Sequence, residues 1–402
     1  MKLAIITERA NITLGGAERS VFELAARMAL LGIDVQILAA IGAAQSNRVK
    51  VLCGNTEKRV GLETFKKALL QHFQDNHYDI IHSVLPFDFA DVYQPRGGSY
   101  PEAAVRNAIS YGSAVLRFFK LLTSFANFRR TSLARAESRL CKKENGPVVA
   151  ALSEYVKTQF KKYYNLPDER IYVCPNGIRL PVSTRSSRGG PSPEKISRAD
   201  KLRAEILARF NIKQADEPVF FLFAAHNFRL KGLANLIKAF AILNNRLTKR
   251  PAFLIIVGRG KTRKYRRLAK RMNVNDRILF FGSAANLNDL LDVADVTVLP
   301  TYYDPSSRFI LEALAAGKPV VTTKFNGAVD LFTADKHGKV FDSPDDIDSL
   351  AEAIRFYCTT ENLTAAKKAI LVDDIKSKVS IETHCRKLLV LYDKIIKKKA
   401  EK

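Results

Sequence analysis

Two successive sets of short apolar, β-branched runs, each run followed by a helical stretch, leave this chain little choice of fold. In the first half the runs are "KLAIIT", "DVQILAA", "DIIHSV", "PVVAALS" and "RIYVCPNG"; in the second they are "VFFLFAAH", "AFLIIVG", "RILFFGSA", "VTVLPTY" and "KPVVTT". Most are too continuously apolar for a strand with one face in water. Both faces must be covered, as in parallel sheets sandwiched by helices. Helical patterns such as Ala17 to Leu31 and Leu233 to Asn244 supply the cover. A chain of 402 residues suits two such domains better than one. The sequence predicts an α/β protein of two doubly wound, Rossmann-like parallel-sheet domains facing across a cleft, with ligands beyond the carboxyl ends of the strands.

The stretch from Pro175 to Lys201, "PNGIRLPVSTRSSRGGPSPEKISRADK", is rich in Pro, Ser, Gly and Arg and shows no periodicity. It reads as a linker with an extended loop. The expected organisation is a first domain over residues 1–178, a linker over 179–200, a second domain over 201–380, and a C-terminal helix with a basic tail over 381–402, which has room to pack back on the first domain.

Composition narrows the function. The opening "MKLAIITERA" has too short an apolar run for a signal peptide. No segment offers the ~18 to 20 apolar residues of a membrane span, so a cytoplasmic protein is expected. The five cysteines form no CxxC pair and the six histidines are dispersed; no disulfide framework, metal site or cofactor is expected. "NIT" at Asn11 matches a glycosylation acceptor, which a cytoplasmic chain never presents to that machinery. The formal charge of +25 calls for an anionic partner: nucleic acid, a phospholipid surface or a phosphorylated substrate.

Three stretches carry candidate chemistry, each at a strand's carboxyl end. Gly15 and Gly16 precede a long amphipathic helix. Paired glycines let backbone approach a ligand, and the helix start offers N–H groups to an anion; a tight turn without a ligand explains them equally well. The spacing fits neither a dinucleotide fingerprint nor a P-loop. Arg229 and Lys231 stand before Gly232 and the next helix. Cations at a helix N-terminus oppose its dipole, so the placement suggests a purpose such as neutralising a diphosphate, the alternative being two solvated cations. In "LPTYYDPSSRFILEALAAGKPVVTT", Asp304 and Pro305 suit an N-cap and first turn, with Ser306 and Ser307 helping to start the helix. Glu312 lies further in, and carboxylates there accept hydrogen bonds from sugar hydroxyls.

Taken in order, "LGGAER", "PNGI", "FRLKG", "LIIVGRG", "LFFGSA" and "DPSSRFILEALAAGKPVVTT" resemble the retaining glycosyltransferases of family 4 with the GT-B fold, and are similar to the glucosyltransferases that build the lipopolysaccharide core. The last stretch is similar to the family's Glu-x7-Glu motif, with Asp304 in the first place and Glu312 in the second. The resemblance implies a nucleotide-sugar donor, UDP-glucose-like, and a glycolipid or saccharide acceptor, with no metal. It implies that Gly16, with Gly15 beside it, approaches the donor phosphates. Arg229 and Lys231 would bind the diphosphate and stabilise the leaving group. Glu312 would hold the ribose, and Asp304 with the backbone of Ser307, Arg308 and Phe309 would grip the transferred sugar. Asp304 is one methylene shorter than the usual Glu, and Ser307 stands where Gly is common. In "DVYQPRGGSYPE", where relatives carry a His, the acceptor-side candidates are Asp91, Arg96 and Ser99. An epimerase of the same fold and a non-catalytic membrane-binding scaffold are the other readings.

Residues 103–143 combine an apolar block, Leu116 to Phe125, with Arg117, Lys120, Arg129, Arg130, Arg135, Arg139, Lys142 and Lys143. The pattern suits an interfacial helix on anionic lipid, each cation contributing roughly 1 kcal/mol near such a surface; the alternative is a pair of amphipathic helices packed on the first domain. It suggests a peripheral protein on the inner face of the cytoplasmic membrane. No zinc-finger spacing, RNP-like aromatic signature or KH loop appears, so a nucleic-acid partner is not expected.

Overall fold

The computed structural model describes residues 1–11, 16–44, 46–54, 59–123, 127–180, 193–213, 216–244, 250–284 and 286–401. Its strands are β1 (Lys2–Ala10), β2 (Asp34–Gly42), β3 (Val49–Val51), β4 (Ile80–Ser83), β5 (Val92–Tyr93), β6 (Val148–Ala151) and β7 (Ile171–Val173) in one sheet. A second sheet holds β8 (Val219–Ala224), β9 (Ala252–Val257), β10 (Ile278–Gly282), β11 (Val296–Leu299), β12 (Val320–Thr323) and β13 (Gly338–Phe341). The helices of the first half are α1 (Gly16–Leu30), α2 (Leu62–Asp75), α3 (Tyr100–Ile109), α4 (Ala114–Leu122), α5 (Phe128–Lys142) and α6 (Glu154–Tyr164). Then follow α7 (Pro193–Phe210), α8 (Leu233–Asn244), α9 (Arg263–Arg271), α10 (Leu287–Val293) and α11 (Arg308–Ala315). The chain ends with α12 (Ile347–Phe356), α13 (Thr360–Val372), α14 (Ile375–Lys378) and α15 (Ile381–Ala400).

Both sheets are parallel throughout, in the orders β3-β2-β1-β4-β5-β6-β7 and β10-β9-β8-β11-β12-β13. Two Rossmann-like domains are therefore present, as the strand pattern demands. The period of two along a strand distributes β1 between two cores: Leu3 and Ile5 join α1 and α15 on one face, while Ala4 and Ile6 join Phe65 and Leu69 of α2 on the other. In the second sheet Val219 to Phe223 are all fully buried.

The chain divides into two compact units. One comprises Met1–Arg179, Asp304–Arg308 and Ser380–Lys402; the other comprises Leu180–Tyr303 and Phe309–Val379. Two local expectations need correction. The segment read as an aperiodic loop to Lys201 is helical from Pro193, because proline at a first helical position has its φ already set and loses no hydrogen bond. The helix expected to be capped by Asp304, with Pro305 in its first turn, begins at Arg308. Asp304 instead closes a turn, its Oδ1 accepting from Ser306 N at 3.2 Å, a local competitor of helix formation.

Candidate functional site

In the second unit the chain leaves β8, turns, and enters α8 through Gly232. That glycine has φ +76°, and a Cβ there would lie 2.0 Å from Pro300 O, just past β11. Only glycine allows the two loops to come so close. They are then stitched: Tyr302 N donates to Leu230 O at 2.9 Å, and Lys231 Nζ donates to Tyr303 O at 2.9 Å. The Lys231 ammonium is thereby fixed at the carboxyl edge of the sheet, with Arg229 two residues before it; both side chains are half-buried. The loop after β9 presses in as well, since a Cβ on Gly258 would meet Ala225 O at 1.9 Å. On α11, Phe309, Leu311, Ala313 and Leu314 are buried and Glu312 is half-buried among them.

In the first unit Ser306 and Ser307 are buried, and Ser153 Oγ donates to Pro305 O at 2.9 Å. The Arg308 guanidinium pairs with Glu23 of α1, Nη1 to Oε2 at 2.9 Å and Nη2 to Oε1 at 3.2 Å. The same glutamate takes Arg19 Nε at 2.8 Å. Gly16 makes room for Arg308, whose Cδ would stand 3.1 Å from a Cβ at that position. Gly15 lies outside the described residues.

The three acceptor-side candidates are already engaged. Asp91 Oδ2 accepts from Ile81 N at 2.8 Å, and its Oδ1 pairs with Lys399 at 2.7 Å. Ser99 caps α3. Arg96 Nη1 donates to Ser20 Oγ at 2.5 Å and to Asn176 Oδ1 at 3.1 Å. Burial, with Arg308 nearby, brings the Arg96 guanidinium down to about 10, so it stays charged and acts as a donor. Its Nε and Nη2, both carboxamide atoms of Gln94, and Nε2 of His82 and of His384 are buried without a hydrogen-bond partner. Burial, aided by the Arg96 charge, pushes both histidines down to about 3, so they are neutral near neutral pH. Sequence reading missed Ser20, Glu23, Asn176 and this polar cluster. "PNGI" was the one available signal: Gly177 admits Ser380 O, which would lie 2.6 Å from a Cβ. Among the described residues no group of three or more His, Cys, Asp or Glu is placed to hold a metal ion.

Two parallel Rossmann-like units, with Arg229 and Lys231 between β8 and α8 and Glu312 in α11, define the class. Residues 14–180 match the model of Glycosyltransferase Family 4 and residues 205–369 that of Glycosyl transferases group 1. The chain belongs to these GT-B glycosyltransferases. It is 28% identical over 207 residues to the lipopolysaccharide glucosyltransferase WaaG of Escherichia coli (strain K12), a match covering 52% of each chain. The chain thus spans about half the length of this curated relative. The crystal structure of WaaG superimposes with a TM-score of 0.71 at 20% identity, over 95% of this chain and 98% of that one. HepE of Anabaena in complex with UDP-glucose gives 0.65 at 19% identity, over 98% and 100%. At such identities the two structures establish the fold.

Proposed function

We propose that the protein transfers a sugar, with retention of configuration and without a metal, from a nucleotide diphosphate sugar to a glycolipid or saccharide acceptor of the cell envelope. The observation that carries this is the stitched loop pair of the second unit, which holds Lys231 beside Arg229 at the sheet's carboxyl edge. Such fixed cations stabilise a departing diphosphate without reorganising. Glu312 accepts from the ribose hydroxyls. Asp304 and the backbone N–H groups of Ser307, Arg308 and Phe309 hold the sugar; Arg308's side chain, paired with Glu23, serves to position that backbone. Gly16, at the first position of α1, would bring the unpaired N–H groups of that helix start toward the donor phosphates.

Asp91, Arg96 and Ser99 are all otherwise engaged. This favours a front-face reaction in which the departing phosphate oxygen takes the proton of the acceptor hydroxyl as the new glycosidic bond forms. An acceptor anchored in a membrane suits α4, which has no buried residue: Val115, Phe118 and Phe119 are 76, 65 and 56% exposed. We place the protein peripherally on the cytoplasmic face through the exposed apolar side chains of α4; among the described residues no helix is long and apolar enough to cross a membrane. WaaG's printed activity, lipopolysaccharide glucosyl transfer, and UDP-glucose in HepE make UDP-glucose the first donor to try.

The test is a thermal-shift panel of UDP, GDP, ADP and their sugar conjugates in EDTA, read with native protein, Lys231→Ala and Glu312→Ala. Binding to the folded state raises the melting temperature. One nucleotide diphosphate should shift the native protein; Lys231→Ala should lose transfer by about 100-fold or more, as removal of a transition-state donor does, and Glu312→Ala, which loses the ribose contact, should lose most of the nucleotide's thermal shift. No shift with any nucleotide points to the scaffold reading, and a free isomerised sugar nucleotide points to an epimerase.

A further inference from the structure

The start of α5 borders a cavity lined by none of the residues assigned above to the donor or the reaction. At helical spacing, Phe128 and Ser132 form one column and Arg129 and Leu133 the next; all four line a cavity of about 320 Å³. Its floor is apolar: Ala40, Phe65, Leu85 and Leu133 are each buried to 8% exposure or less. Its rim is cationic. Arg59 and Arg129 both reach Glu8, the former at 3.9 Å, so two guanidiniums share one carboxylate and leave the mouth positive. A shallower depression shares Phe128 and Ser132 and adds Arg135 and Arg139; Glu63 stands 3.7 Å from Arg139. Phe128 at the mouth is 90% exposed, and α4, with its uncovered apolar face, ends only a few residues earlier in the chain.

We propose that this cavity receives one acyl chain of an anionic membrane lipid. The inference rests on the reading that the protein works at a membrane surface, and it deepens it. An apolar floor takes hydrocarbon, a cationic rim takes the phosphate, and the volume lies within the range of small-molecule pockets. Nearby α4 adds apolar surface and Arg130, Arg135 and Arg139 add attraction to anionic headgroups. A seated chain fixes the protein's orientation on the bilayer, which an amphipathic helix alone leaves loose.

The chain has no tryptophan, so Phe128→Trp places a sole reporter at the mouth. Full-length protein is titrated with 12-carbon lysophosphatidylglycerol below its micelle concentration, with the lysophosphatidylcholine of the same chain, and with chainless glycerophosphoglycerol. The expected result is a saturable blue shift with the first, at least threefold weaker binding of the second, and no response to the third. Ala40→Leu fills the floor and Ser132→Phe closes the mouth from an exposed site; each should weaken binding at least tenfold. Undiminished binding in a folded Ser132→Phe variant overturns the proposal. Vesicle binding without a saturable monomer signal also overturns it, while leaving the membrane reading intact. Monomer binding without any binding to phosphatidylglycerol vesicles instead overturns the membrane reading and keeps the pocket.

Discussion

Glu137 is a carboxylic acid cut off from water. Tyr93 Oη donates to its Oε1 at 2.8 Å, and Tyr164 Oη and Tyr100 N donate to Oε2 at 2.5 and 2.9 Å. Burial outweighs these donors and raises its pKa from 4.5 to about 7. The folded state therefore keeps a proton that the unfolded chain has released. The contribution is fully present below pH 4.5 and is lost as pH rises through about 7. The shift is worth about 3 kcal/mol. Glu137→Gln fits the same donors, its oxygen in the place of Oε2 and its amide facing the Tyr93 hydroxyl, which can turn and accept. Urea unfolding at pH 5 and pH 8 should show native stability falling relative to the variant by up to about 3 kcal/mol. A difference that stays constant between the two pH values refutes the assignment. Nothing in the spacing of Tyr93, Glu137 and Tyr164 announces this cluster, because three separate elements bring it together. Arg96 is similar: visible as a candidate, but its burial against Ser20 and Asn176 depends on tertiary contacts.

Helix α15 enters its place through a turn that tolerates no side chain. Ile381 N donates to Ile178 O at 2.8 Å, and a Cβ on Gly177 would stand 2.6 Å from Ser380 O and 2.8 Å from His384 Cβ. Gly177→Ala must push α15 outward, at about 1–3 kcal/mol. Gly97→Ala meets nothing within 4 Å and should change the melting temperature by less than a degree or two. Equal melting temperatures for the two variants would refute the seat. The elements themselves were largely legible. Strands β8 and β9 are six-residue apolar runs whose burial on both faces dictates parallel neighbours, and α8 runs over the residues its pattern marked. What failed were boundaries set by competition. Asp304 and Ser306 close a turn that delays α11 to Arg308, while Pro193 starts α7 inside a stretch of loop-like composition. The places of Arg229 and Lys231 between β8 and α8, and of Glu312 within α11, followed from pattern; the Lys231 bond to Tyr303 O needed the fold.

At the scale of the whole chain, the first unit is closed by its last residues. Ile381, Cys385, Leu388, Leu391 and Tyr392 are at most 4% exposed and lie in one core with Leu3, Ile5, Leu24 and Met28, which come from the opposite end of the sequence. Burying five such side chains contributes on the order of 8–15 kcal/mol, as much as the net stability of an entire domain. Polar contacts add to this: His82 Nδ1 meets Tyr392 Oη at 2.7 Å, and Lys399 meets Asp91. A chain ending at Val379 leaves the α1–β1 core open to water and takes away the Tyr392 partner of His82, whereas the second unit retains its full sheet order from β8 to β13. Hydrogen exchange on this truncation should show amides of β1, β2 and β4 exchanging as an unfolded chain does, while β8, β9 and β11 stay protected. Retained protection in β1 would mean that α1 and the sheet hold that core without α15. Loss of protection in both units together would mean that the two fold only as one.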